Sequence, residues 1–247
     1  MIQLRMNDMI QFFRQISGRA NSNLFASLPN QSSLQQMAFL REIQREMKEK
    51  NSLDVPLKEL RVVVFDLETT GFYPEKGDQI ISIGAVKMTG SQLKEQETFY
   101  TLVKSNLPLS SEISALTNIY EKDLSTAPIA KDALMQFFQF IKSDLLVAHH
   151  ASHEQAFMKR TTTDALRTRF DHRIVDTSFL IRLSNPYMKS APLEEVCEEC
   201  GIEVENRHHA LSDAIMTAKV WRHYLQLAEE KGFRYLRQVY EHLAKIG

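Results

Sequence analysis

The chain has 247 residues, 43% hydrophobic and 25% charged, a composition that accommodates one full-sized globular domain plus a short appendage. A formal net charge of −1 excludes the strongly basic surface of a protein that grips long duplexes through many phosphates, but it suits an enzyme that holds one strand end. Two cysteines make no disulfide framework, and no apolar run approaches membrane-spanning length, so a protein of the cytoplasm is expected.

Residues 1–17 place Ile2, Met6, Met9, Phe13 and Ile16 at alternating steps of four and three, one face of an amphipathic helix closed by Gly18. Arg5 and Asp8 interrupt its apolar character, which argues against a signal peptide. A second helical pattern begins at Ser33, with Gln36 in capping-box position and Leu34, Met37, Leu40 and Met47 following, and it ends near Asn51. Residues 1–55 therefore read as a helical extension. It either covers its own apolar face on the main domain or offers a surface to a second copy or a protein partner.

The main domain is expected over 56–247. From Arg61 the run VVVF has the β-branched continuity of a central strand buried on both faces. DQIISIGAVKM and QETFYTLVK read as two more strands separated by Thr89 and Gly90, which together suggest a meander. Beyond these the pattern alternates: a helix near 130–142, a strand in DLLVAH, a helix from about 152, a strand in HRIVD, and helices to the end. The expected class is α/β, with a mixed central sheet of a three-strand meander plus two parallel strands, flanked by helices.

Asp66 and Glu68 stand two apart in FDLETTG, so strand alternation sends both carboxylates to one face. Hard dications such as Mg²⁺ or Mn²⁺ need such oxygen ligands, and two ions about 3.5–4 Å apart can hold both the attacking and leaving oxygens of a phosphodiester displacement. Solvated acids at a strand end are the plainer alternative. In NRHHALSDAIMTAKVW the apolar spacing marks a helix with Asp213 in its first turns. His208, five residues earlier, would sit about 140° away on a continuous helix, so both serve one site only if His208 lies in the approach loop. A histidine there suits a general base that takes a proton from an attacking water.

FDLETTG with DQIISIGAV, then LVAHHASHEQAF, then HHALSDA resemble, in order, the three motifs of the DEDDh-type 3′→5′ exonucleases, which include the epsilon subunit of bacterial DNA polymerase III and RNase T. The likeness runs from about Arg61 to Leu227. It implies a ribonuclease H-like fold and two divalent metal ions, Mg²⁺ or Mn²⁺, held by Asp66, Glu68, Glu154 and Asp213, with Glu68 also catalytic and His208 as the base. It further implies that Leu67, Thr69, His150 and Ile119 surround the terminal nucleotide of a single-stranded nucleic acid 3′ end, DNA in preference to RNA.

Three positions depart from that pattern. Glu154 stands where the family has aspartate, one methylene longer, and Ser152 with Gln155 also reads as a capping box that would give Glu154 a helix-start role alone. His150 replaces asparagine. Asn118 stands where a glycine often lets backbone approach the nucleotide closely. Cys197 and Cys200 near His208 and His209 lack zinc-finger spacing and are expected to pack. Lys159, Arg160, Arg167, Arg169 and Arg173 could track a phosphate backbone or form a solvated face. The helical end GFRYLRQVYEHLAKI points to a stand-alone nuclease without a polymerase tether. The competing expectation is a binding module that keeps the fold while Glu154 weakens catalysis, and retention of His208 speaks against it.

Overall fold

The computed structural model describes residues 31–187 and 191–246. The first amphipathic pattern, residues 1–17, lies outside them. Helix α1, Gln31–Glu49, begins two residues before the expected start at Ser33. The chain divides after Phe39, and the body from Leu40 onward contains the C-terminal half of α1. There Leu40 and Ile43 are buried, and Gln44 donates to Asp171 at 3.0 Å.

Five strands form one mixed sheet in the order β3, β2, β1, β4, β5. Strands β1 (Arg61–Thr69), β2 (Ile80–Thr89) and β3 (Gln92–Leu102) make the antiparallel meander expected from the sequence. Strands β4 (Leu145–Ala148) and β5 (Ile174–Asp176) then add in parallel, β4 against β1 and β5 against β4. The short apolar β4, LLVA, is wholly buried, as a strand covered on both faces must be. The helices after the meander are α2 (Ser111–Thr117), α3 (Glu121–Ser125), α4 (Ala130–Ile141), α5 (Ser152–Leu166), α6 (Ser178–Ile181), α7 (Leu193–Glu199), α8 (Ala210–Glu230) and α9 (Leu236–Ile246). Among the described residues no helix is long and apolar enough to cross a membrane.

The two faces of β1 are sorted by alternation. Val62 and Val64 belong to the core under α8, with Trp221, Leu225 and Ala228, and Asp66 and Glu68 share that parity. Phe65, on the opposite parity, meets Phe137 of α4 at a ring separation of 5.6 Å. The acids thus continue an apolar face toward the carboxyl end of the strand, where α8 begins.

Candidate active site

Three elements deliver the acids. Because β1 and β4 are parallel neighbours, with Val64 opposite Val147, their carboxyl ends open at the same edge. Asp66 and Glu68 come from β1, and Glu154 comes from the first turn of α5, which follows β4. Asp213 comes from the first turns of α8, laid across the sheet at Gly84. Gly84 is the β2 partner of Asp66, and a Cβ there would lie 2.1 Å from the Leu211 nitrogen and 2.2 Å from the Ala210 carbonyl carbon. The missing side chain is what lets Asp213 reach the strand acids.

Ligand atoms of Asp66, Glu68 and Asp213 all lie within 4.8 Å of one another. Glu154 stands outside that tight set but is buried beside it, and its charge acts on Asp66. The pKa values show the cost of this crowding. Burial first, then the charges of Glu154, Glu68 and Asp213, holds Asp66 well above the usual carboxylate range. Burial and then Asp213 push Glu68 up to about 8, opposed by Arg207. Burial, with the charges of Asp176 and Glu68, pushes Glu154 up to about 8. Glu154 Oε2 and Asp213 Oδ1 are buried with no hydrogen-bond partner. Unpartnered buried carboxylate oxygens that repel one another fit hard divalent cations, whose charge would satisfy them.

His208 lies in the approach loop, as the 140° argument requires, because α8 starts only at Ala210. Its backbone is left-handed, φ 61°, and its N–H donates to Asp213 Oδ2 at 3.1 Å. His209 takes a different part: its Nδ1 accepts from the Ser212 N–H at 3.4 Å, capping α8, and its ring stacks on Tyr100 at 4.6 Å. The two adjacent histidines are therefore separated in role by one residue of chain.

Asp66, Leu67, Glu68, Thr69, His150, Glu154, His208 and Asp213 all line one cleft of about 800 Å³. Thr69 spends its hydroxyl on the Gly71 carbonyl, 2.6 Å away, the turn-holding role a threonine takes locally. Ile119 does not line the cleft; it is buried with Ile81 and Leu124, and Ile113, Leu116 and Thr117 of α2 form the wall instead. Asn118 occupies the glycine position with φ 54°, ψ 26°, the left-handed backbone that asparagine tolerates better than other side-chain-bearing residues, and it ends α2. The capping box at Ser152 and Gln155 is not formed: the N-cap is Ala151, without a side-chain cap. Asp176 replaces it, its Oδ2 accepting the Ala151 N–H at 2.7 Å from the end of β5. Nothing local in the sequence pointed to Asp176 or to Arg207, whose fork binds Glu194 and Asp213; both act across 25 and 6 to 13 residues of chain, respectively.

The other sequence candidates do not line the cleft. Cys197 is buried, its thiol pushed up to about 11 mainly by burial, which suits packing. None of Lys159, Arg160, Arg167, Arg169 and Arg173 lines the cleft. Arg160 pairs with Asp164 at 2.6 Å, and Arg173 lies over the Tyr240 ring.

Comparison with known proteins identifies the family. The RNase T exonuclease family model matches residues 63–221. The DNA polymerase III epsilon subunit of Aquifex aeolicus is 31% identical over 173 residues, covering 70% of this chain and 83% of that one. A PolC-type DNA polymerase III of Clostridium perfringens is 35% identical over 158 residues, 64% of this chain but 11% of the polymerase, so the chain spans about a tenth of that relative's length. The fold is shared with the nuclease domain of 3′hExo, described as a DEDDh family member bound to rAMP, at a TM-score of 0.58 and 18% identity over 70% of this chain and 92% of that one. With the family model spanning most of the sheet and all four acids, the chain belongs to the RNase T exonuclease family.

Proposed function

We propose that the chain hydrolyses single-stranded nucleic acid from its 3′ end, releasing nucleoside monophosphates, with two divalent cations, Mg²⁺ or Mn²⁺, bound by Asp66, Glu68, Glu154 and Asp213. The observation that carries this reading is the tight set of Asp66, Glu68 and Asp213 with Glu154 lining the same cleft, two of these four acids having a buried oxygen left unpartnered. Bound cations would supply charge stabilisation to the attacked phosphodiester. The chain's own residues do the rest. His208, on a loop rather than on α8, takes the proton from the attacking water. The exposed Phe72 ring and Leu116 at the rim offer apolar faces to the last bases, and His150 and His153 stand beside them in the cleft.

DNA is the preferred substrate in this reading, because the relatives above 30% identity carry the names of DNA polymerase III proteins. The modest net charge fits a site that grips a few terminal nucleotides. The test is incubation of the pure protein with 3′-labelled and 5′-labelled single strands of DNA and RNA, with Mg²⁺, Mn²⁺ or chelator. Stepwise shortening of 5′-labelled DNA, abolished by chelator, is expected. Rapid cutting of a closed circular strand would overturn the exonuclease reading.

A further inference from the structure

Six carboxylates line the cleft: Asp66, Glu68, Glu112, Glu154, Glu194 and Asp213. Among the described residues lining it, Arg207 is the one lysine or arginine. Both arms of its guanidinium are engaged. Nε donates to Glu194 Oε1 at 2.6 Å, and Nη1 donates to Asp213 Oδ2. The same Asp213 oxygen accepts the His208 backbone N–H, so Oδ2 is committed to the loop while Oδ1 stays buried and unpartnered.

The loop itself needs holding. Asn206 and His208 both have left-handed backbones, φ 50° and 61°, conformations that cost side-chain-bearing residues on the order of 1 kcal/mol or more each unless surrounding contacts fix them. Arg207 lies between them and ties the loop to α7 through Glu194 and to α8 through Asp213. Its positive charge also relieves the acids, opposing the upward shifts of Asp66 and Glu68. A planar, permanently charged fork can do both at once, and a lysine cannot.

We propose that Arg207 is a positioning residue with two separable duties: its fork clasps the His208 loop to Glu194 and Asp213, and its charge is a tethered counterion that competes with dications for the acid cluster. The proposal rests on the metal-platform reading of the four acids. It predicts opposite effects on metal binding and turnover, which general damage to the fold would not produce.

The test compares wild type, Arg207→Gln and Arg207→Lys by calorimetric titration of chelator-stripped protein with Mn²⁺ and by steady-state cleavage of an end-labelled oligonucleotide. Arg207→Gln should bind Mn²⁺ roughly tenfold more tightly, about 1.4 kcal/mol. Its turnover should nevertheless fall roughly 10–100-fold, the usual effect of losing a group that orients ligands and base. Arg207→Lys should keep wild-type Mn²⁺ affinity, because the charge remains, while turnover stays as low as in the glutamine variant. If Arg207→Gln binds Mn²⁺ no more tightly, or turns over normally, the proposal is overturned. Should that variant not fold, Glu194→Ala removes the acceptor, releases one arm of the fork and keeps the Arg207 charge. Turnover should drop there with Mn²⁺ affinity unchanged, and normal turnover would count against the clasp. A wild-type protein that binds no Mn²⁺ would instead show that the metal-platform reading has failed, a result separable from failure of the clasp alone.

Discussion

Gly84 stands opposite Asp66 in the β1–β2 ladder, and the backbone of Ala210 and Leu211 fills the space where a side chain on Gly84 would be. This contact sets how closely α8 approaches the sheet, and so whether Asp213 can share ions with Asp66 and Glu68. Because the blocking atoms are backbone, they cannot rotate away. Gly84→Ala should therefore push the start of α8 outward, costing about 1–3 kcal/mol of stability as overpacking does. Calorimetric Mn²⁺ titration of the folded variant should show the loss of a binding site. Unchanged metal affinity would show that α8 placement does not depend on this glycine.

The neighbouring histidines separate by measurement. His208→Ala should leave metal affinity near normal and lower turnover roughly 10²–10⁴-fold, the usual worth of a general base. His209→Ala removes the α8 cap and the Tyr100 stack, so its main effect should be lower stability by about 1 kcal/mol, read as a shift in thermal unfolding. Equal losses of turnover in the two variants would show that the base is wrongly assigned.

Thermal unfolding should also depend on pH in a direction opposite to that of ordinary paired acids. Glu68 and Glu154 are held at about 8 in the folded, metal-free protein against 4.5 in an unfolded chain, so the folded state retains protons that the unfolded state has lost. Their contribution is present at acid pH and lost as pH rises through about 8. Chelator-treated protein should therefore melt at progressively lower temperature between pH 6.5 and 8.5. The buried His149, His153 and His172, whose pKa values are lowered mainly by burial, oppose this trend at the acid end of the window, where an unfolded chain is still losing histidine protons near 6.5, so the fall is clearest above about pH 7. Mg²⁺ should raise the melting temperature, and more so at the alkaline end. A metal-free melting temperature flat across this window would mean that the acids are not crowded as the structure shows.

Much of this was legible in the sequence because it depends on local periodicity. Strand alternation put Asp66 and Glu68 on one face, and the α8 pattern left His208 outside the helix. What was not legible depends on distant partners. Asp176, from β5, does the capping that Ser152 and Gln155 seemed placed to do. Ile119, two residues beyond the end of α2, turns into a small core with Ile81 and Leu124 because Asn118 reverses the chain between them. Arg207 carries no local signal, because its role depends on Glu194 and Asp213 standing on either side of it.

Glu154 decides whether the fourth acid works as a ligand or only opens a helix. The structure takes the capping duty away from its neighbours Ser152 and Gln155 and leaves Glu154 Oε2 buried without a partner, where a solvated helix-start acid would face water. Three acids alone would hold two dications poorly, so the fourth carboxylate is needed for charge as well as geometry. Glu154→Gln keeps the size but removes the charge. It should stabilise the metal-free fold, since an ionisable group costly to bury becomes neutral, and yet cripple turnover. Glu154→Asp restores the carboxylate with one methylene less, so activity should persist, with a shifted preference between Mn²⁺ and Mg²⁺ because Mg²⁺ is stricter about octahedral geometry. The measurements are thermal unfolding in chelator and turnover across a metal titration for both variants. Near-normal turnover of Glu154→Gln at low metal concentration would reduce this residue to a buried acid at a helix start.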